Sequence, residues 1–230
     1  MASVAENWQD IEQQIQRACE KSSRKPNDIN VIAVTKYVNT ERMIEALEAG
    51  IEHIGENKVQ DALPKWETLG DKGIWHFIGH LQSNKVKDVI GRFHYIHSLD
   101  RHSLAKEIEK RASAKGITVS CFVQVNVSGE QTKQGIAFSE AKNFVEDLRI
   151  YSHIKVVGLM TMAPYEAEPE SVRPVFSKLK QLQEELRQHH WSHAPLTELS
   201  MGMSNDFQVA IEEGATFVRL GTSLVGNDEK

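Results

Sequence analysis

Short apolar runs alternate with amphipathic stretches along most of this chain. Runs rich in Val, Ile, Leu and Phe fall near residues 30–35, 51–54, 74–78, 93–97, 117–126, 154–159, 196–199 and 215–220. Their continuous apolar character predicts eight strands buried on both faces. Ahead of the first, Trp8, Ile11, Ile15 and Ala18 recur at helical spacing and predict an opening helix from about Ser3 to Ser22. Between the strands, Thr40 caps a predicted helix with apolar positions Met43, Ile44 and Leu47, which Gly50 ends. Ser139 opens another with Phe144, Val145 and Leu148, and Pro174 starts one with Phe176, Leu179, Leu182 and Leu186. Asn205 with Gln208 resembles a capping box before a helix ended by Gly214. Asn84-Lys85-Val86-Lys87 reads as a further helix start.

Strict alternation of strand and helix argues for a parallel sheet, and eight repeats argue for a closed α/β barrel of the (β/α)8, or TIM, type. The expectation is a single domain over residues 1–230 with an extra N-terminal helix. The competing architecture is an open doubly wound sheet, but no Gly-x-Gly-x-x-Gly follows the first predicted strand.

Composition narrows the function classes. The chain has 230 residues, 40% of them hydrophobic and 26% charged, which suits one ordinary globular domain. Its 27 basic and 32 acidic residues are scattered and leave a net charge of −5, so no nucleic-acid footprint is expected. No apolar stretch is long enough to span a membrane, and the first residues lack the basic and apolar regions of a secretory signal. A cytoplasmic protein is the expectation. Cys19 and Cys121 match no metal spacing, and Cys121 reads as a small core residue. His189, His190 and His193 lack a carboxylate in register and read as a solvated turn rather than a metal site.

A barrel collects its functional groups at the carboxyl ends of the strands. Lys36 ends the first apolar run, where a lysine is held, partly desolvated and able to lose its proton, the conditions under which its amine attacks a carbonyl to form a Schiff base. The seventh and eighth strands run into Ser200-Met201-Gly202-Met203-Ser204 and Arg219-Leu220-Gly221-Thr222. Ser200, Gly202, Ser204, Gly221, Thr222 and Ser223 supply the small residues, amides and hydroxyls that a phosphate site requires, in the pair of loops where barrels often build one. A ligand with an aldehyde and a phosphate follows, either pyridoxal 5′-phosphate (PLP) or a phosphorylated sugar aldehyde. Arg219 could face a pyridine nitrogen and keep it unprotonated, or pair with a carboxylate inside the barrel mouth.

Val34-Thr35-Lys36, Gly55-Glu56-Asn57, Trp75-His76-Phe77-Ile78-Gly79, Leu81-Gln82-Ser83-Asn84-Lys85, Gly158-Leu159-Met160 and the two loop segments above together resemble the pyridoxal phosphate homeostasis protein family (YggS/PROSC type). That family is similar to the N-terminal barrel of alanine racemase, and the likeness runs from about residue 5 to 226. The resemblance implies a fold-type III PLP barrel with the cofactor as an internal aldimine on Lys36, Asn57 and Met160 lining the ring pocket, and Arg219 facing the pyridine nitrogen. It implies further contacts from Ser200, Met201, Gly202, Ser204, Gly221 and Thr222. His80 stands where many relatives have a smaller residue and receives no role. Lys133, after the fifth strand, reads as an exposed loop charge, with a second aldehyde-receiving lysine as the alternative.

Racemisation needs a second base opposite the lysine. In alanine racemases a tyrosine from a separate C-terminal domain supplies it, and this chain ends soon after the eighth strand. Among Tyr37, Tyr95, Tyr151 and Tyr165 none is an obvious partner, with Tyr37 expected to point away from Lys36. The expected function is a reversible PLP carrier and regulator, a monomer meeting PLP-dependent apo-enzymes transiently. The alternatives are a weak amino-acid racemase or a Schiff-base aldolase of phosphorylated sugars. The aldolase would need Glu56, the one nearby carboxylate, which reads instead as a cap of the following helix.

Overall fold

The apolar runs become strands of one parallel barrel in the computed structural model, which describes residues 3–130, 134–164 and 168–227. In chain order the strands are β1 (Asn30–Val34), β2 (His53–Glu56), β3 (Ile74–Phe77), β4 (Tyr95–Leu99), β5 (Val119–Asn126), β6 (Ile136–Ala137), β7 (Ile154–Met160), β8 (Glu198–Met203) and β9 (Phe217–Leu220). β1 pairs with β2 on one side and β9 on the other, and β4 pairs with β5, so the circuit β1-β2-β3-β4-β5-β7-β8-β9 closes. This is the expected (β/α)8 barrel; an open sheet is excluded. The two-residue β6 pairs with the end of β5 and stands outside the circuit.

The helices are α1 (Val4–Lys21), α2 (Thr40–Glu48), α3 (Val59–Leu69), α4 (Val86–Val89), α5 (His102–Lys115), α6 (Ala141–Asp147), α7 (Arg173–Arg187), α8 (Phe207–Glu212) and α9 (Thr222–Val225). Ser3 and Glu6 form a reciprocal capping box at the start of α1. This opening helix packs against α8, α9 and α2. It thereby occupies the place in the outer ring that a full helix after the last strand would take, since α9 has only four residues.

Several boundaries differ from the sequence reading for local reasons. Asn39, not Thr40, caps α2, its side chain accepting from the Arg42 amide. Helix α6 begins at Ala141, after a 3-10 turn over Phe138–Glu140. Asp206 rather than Asn205 precedes α8, and its carboxylate accepts from the Met203 amide, folding the loop instead of capping the helix. Strand β8 runs on to Met203 because Ser200 and Gly202, polar or small in the sequence, still take extended ladder positions.

Side chains divide between two compartments. Outward positions such as Trp75, Phe77, Val123, Leu199 and Met201 join the large apolar layer between strands and helices. Inside, a smaller cluster of Ile32, Phe122, Met160 and Phe217 fills the barrel, with Tyr95 and Val157 against it. Truncating a fully buried aromatic of this kind costs about 3–5 kcal/mol. Polar side chains share this interior and lead to the site.

Candidate functional site

Lys36 lies two residues beyond β1, at the carboxyl end of the barrel, half-buried in a turn closed by the Val38 amide donating to the Thr35 carbonyl at 3.2 Å. Its Nζ sits 4.6 Å from the ring centroid of Tyr37. The expectation that Tyr37 points away is therefore corrected: Lys36 and Tyr37 belong to a turn, where the alternation of a strand no longer applies. The ring face attracts the ammonium.

A second lysine supports this turn. Lys65 of α3, nearly buried, donates to the Thr35 carbonyl at 2.6 Å and to Glu56 Oε1 at 2.8 Å. The Thr35 hydroxyl donates to the same carboxylate oxygen at 2.6 Å. Glu56 is fully buried on the outer side of β2, so it caps no helix; its role is to hold Lys65 and Thr35. Nothing in the sequence pattern singled out Lys65, which looks like any helix lysine.

The loops after β8 and β9 meet beside β1. A methyl group placed on Gly221 would touch Val34 at 3.8 Å, so this loop adjoins the strand that leads to Lys36. The Ser223 hydroxyl donates to Ser204 Oγ at 2.8 Å, and the Gly221 amide approaches the same oxygen at 3.4 Å. The Leu224 and Val225 amides bond back to the Gly221 carbonyl and start α9. The first amides of that turn, from Thr222 and Ser223, have no intrahelical acceptor by position, and both residues are exposed. Such a cluster of amides and hydroxyls suits an anion. Gly202 has φ +92°, and a Cβ there would lie 2.6 Å from that of Ala210, so only glycine lets α8 approach the loop this closely.

Arg219 is buried inside the barrel. Its Nη1 donates to Ser200 Oγ at 2.6 Å and its Nη2 to the Thr161 carbonyl at 2.9 Å. Both partners are uncharged, so pairing with a carboxylate, one of the two readings of this residue, is not its arrangement here. Burial pushes its pKa down to about 10, with Asp206 opposing the shift. Burial likewise raises the Asp206 carboxyl above its usual range.

Ser200 is fully buried and its hydroxyl joins Arg219 to His97, so it does not stand among the exposed loop donors with Ser204 and Thr222. Met201 points the other way, into the strand–helix layer, because side chains alternate along β8. Met160 lies in the barrel interior as expected. Asn57 follows β2, and its Oδ1 is buried with no hydrogen-bond partner among the described residues. Gly79 packs so tightly on Asn57 that a Cβ would strike the Asn57 carbonyl oxygen. His80 is exposed beyond β3. Lys133 and Tyr165 lie outside the described residues.

Three histidines missed by the sequence reading cross the interior. His53 Nδ1 lies 2.9 Å from His76 Nε2, His76 Nδ1 lies 2.8 Å from His97 Nε2, and His97 Nδ1 lies 2.8 Å from Ser200 Oγ. His76 stacks on Tyr95 and His97 on Phe122. Burial holds the pKa of His76 and of His97 well below the ordinary value, with His97 further disfavoured by Arg219; His53 shifts the same way. Each is a lone histidine in an apolar run, and only closure of the sheet aligns them. Among the described residues no cluster of three or more histidine, cysteine or carboxylate side chains could hold a metal.

Comparison with known proteins agrees with this fold. Residues 5–229 match the family described as "Alanine racemase, N-terminal domain". A pyridoxal phosphate homeostasis protein of Aquifex aeolicus is 45% identical over 225 residues, 97% of this chain and 98% of that protein. One from Escherichia coli K12 is 32% identical, covering 98% and 97% of the two chains. The structure of PipY from Synechococcus elongatus PCC7942 with PLP bound superimposes with a TM-score of 0.80 at 32% identity, over 93% of this chain and all of that one. An alanine racemase of Clostridium difficile, 14% identical, matches with a TM-score of 0.71 over 92% of this chain and 56% of its own, a likeness of fold alone. The chain belongs to the pyridoxal phosphate homeostasis protein family, built on the alanine racemase N-terminal barrel.

Proposed function

We propose that this chain binds PLP through Lys36 and holds it reversibly, limiting the free aldehyde and passing it to apo-enzymes. PLP supplies an aldehyde that condenses reversibly with a lysine amine, and a phosphate that calls for amide and hydroxyl donors. The observation that carries the reading is Arg219, a buried guanidinium with uncharged partners, between the strand of Lys36 and the anion-suited loop. The orphaned Oδ1 of Asn57 adds a buried acceptor at the same end of the barrel, where a polar ligand would satisfy it.

In this reading the Thr222–Ser223 amides, Ser204 and the Thr222 hydroxyl hold the phosphate, Arg219 donates toward the ring nitrogen, and Met160 with Asn57 lines the ring. Ser200 and Met201, named with them from the family resemblance, act at one remove: Ser200 fixes Arg219, and Met201 anchors β8 in the outer layer. Among the described residues the set favours a carrier over an enzyme. Tyr37 lies against Lys36 itself, and Tyr95 is stacked on His76, so neither is placed as an opposing base. Tyr151 precedes β7, at the opposite end of the barrel. An aldolase would need a carboxylate beside Lys36, and Glu56 is committed to Lys65 on the outer side. The reading extends to a single-domain cytoplasmic monomer in transient contact with PLP-dependent apo-enzymes.

Incubation with PLP, borohydride reduction and peptide mass mapping test it. A phosphopyridoxyl group on Lys36, lost in Lys36→Ala, is expected. Labelling spread over surface lysines, unchanged in Lys36→Ala, would overturn it.

A further inference from the structure

We propose that His97, backed by His76 and His53, is a positioning residue that fixes Arg219 through Ser200 for its contact with the bound ring. The inference rests on the PLP reading for its ligand but not for its geometry.

The direction of the chain follows from its end. A guanidinium only donates, so Ser200 Oγ accepts from Arg219. The serine hydrogen then has His97 Nδ1 as its acceptor at 2.8 Å. If His97 Nδ1 carried a proton instead, the hydroxyl hydrogen of fully buried Ser200 would lose that acceptor, an expensive arrangement. With Nδ1 accepting, neutral His97 carries its proton on Nε2 and donates to His76 Nδ1. His76 likewise donates from Nε2 to His53 Nδ1. All donors run one way, from near the carboxyl end of β9 to the first residue of β2, and all three imidazoles are Nε2–H tautomers. Stacking on Phe122 and Tyr95 fixes the ring planes of His97 and His76. Among the described residues no carboxylate hydrogen-bonds to Arg219, and Asp206 acts on it only through its charge.

Two nearly isosteric variants isolate the acceptor. His97→Asn keeps an acceptor for Ser200, and His97→Leu removes it. The Leu variant should bind PLP about tenfold more weakly, with a displaced absorption band, and the Asn variant should stay within about threefold of the parent. Equal affinity and identical spectra for parent, Asn and Leu variants would reduce the chain to interior packing. The second measurement needs no cofactor and no variant: ¹⁵N–¹H correlation of the histidine rings in the unloaded protein at neutral pH. Three Nε2–H tautomers support the directed chain. An Nδ1–H tautomer at His97 or His76 overturns it, even if PLP binding itself were to fail.

Discussion

The ammonium of Lys65 donates to the backbone carbonyl of Thr35 at 2.6 Å, so one lysine supports the turn that carries another. The pair with Glu56 is almost wholly out of water, and removing one partner strands a buried charge. Lys65→Met should lower stability by about 3–5 kcal/mol in urea unfolding. If the variant folds, PLP should still label Lys36, since in the parent Lys65 holds Thr35 and Glu56 and takes no aldehyde. Loss of the label from Lys36 with unchanged stability would show that the two lysines had been given the wrong roles.

The phosphate assignment separates PLP from pyridoxal. Ser204→Ala combined with Thr222→Ala should weaken PLP retention by about tenfold or more while leaving pyridoxal binding unchanged, because only PLP presents the anion. Equal loss for both ligands in equilibrium dialysis would place the phosphate elsewhere. Ser200 is unsuited to this test, since its replacement disturbs Arg219 first.

Acid stability should report the interior histidines. Their folded pKa values lie below the unfolded value of about 6.5. Below that pH the unfolded chain takes up protons that the folded chain refuses, so stability falls as pH drops and is level above it. Two such groups give a loss of about 2 kcal/mol between pH 6.5 and 5.5. Asp206, with its raised pKa, acts in the opposite sense at lower pH. Urea midpoints across this range measure the slope, and a flat profile would mean that the histidines are already solvated.

Gly202→Ala meets two penalties at once, a left-handed backbone and a 2.6 Å approach to Ala210. A destabilisation of about 2 kcal/mol or more is expected, with weaker PLP retention as α8 shifts the Ser204 loop. A variant as stable as the parent would show that the loop has another conformation within reach.

The barrel was legible because strands buried on both faces carry apolar runs that differ plainly from the helical stretches between them. The least legible strand was β8, where Ser200 and Gly202 look like loop chemistry although they occupy ladder positions. The positions of Lys36, Ser204 and Thr222 at the carboxyl end of the barrel, and of Arg219 near the end of β9, could be read by placing unusual residues at strand ends. His53, His76 and His97 could not, since each is separated from the next by a strand–helix unit and looks like an isolated core histidine. Lys65 was hidden for a similar reason: its partners come from two other elements. Alternation fixed Met201 as outward only once β8 was known to extend past Leu199, and the same error of extent placed Ser200 in the loop.

Closure of the ring by α1 also bears on how the barrel assembles. Asn7 donates to the Leu224 carbonyl across 217 positions of sequence, and β1 hydrogen-bonds along its length to β9. These contacts join the two ends of the barrel, so none of them exists until the last strand is in place. A half-made chain therefore presents Lys36 without the loop that would grip an anion. Lys36 precedes Arg219 by most of the barrel in sequence, so in the PLP reading a partly made chain lacks the finished geometry for the aldehyde. In the PLP reading, retention of the ligand therefore requires the complete barrel, and a circular permutant opened between β4 and α5 would place that requirement at a different seam of the same barrel.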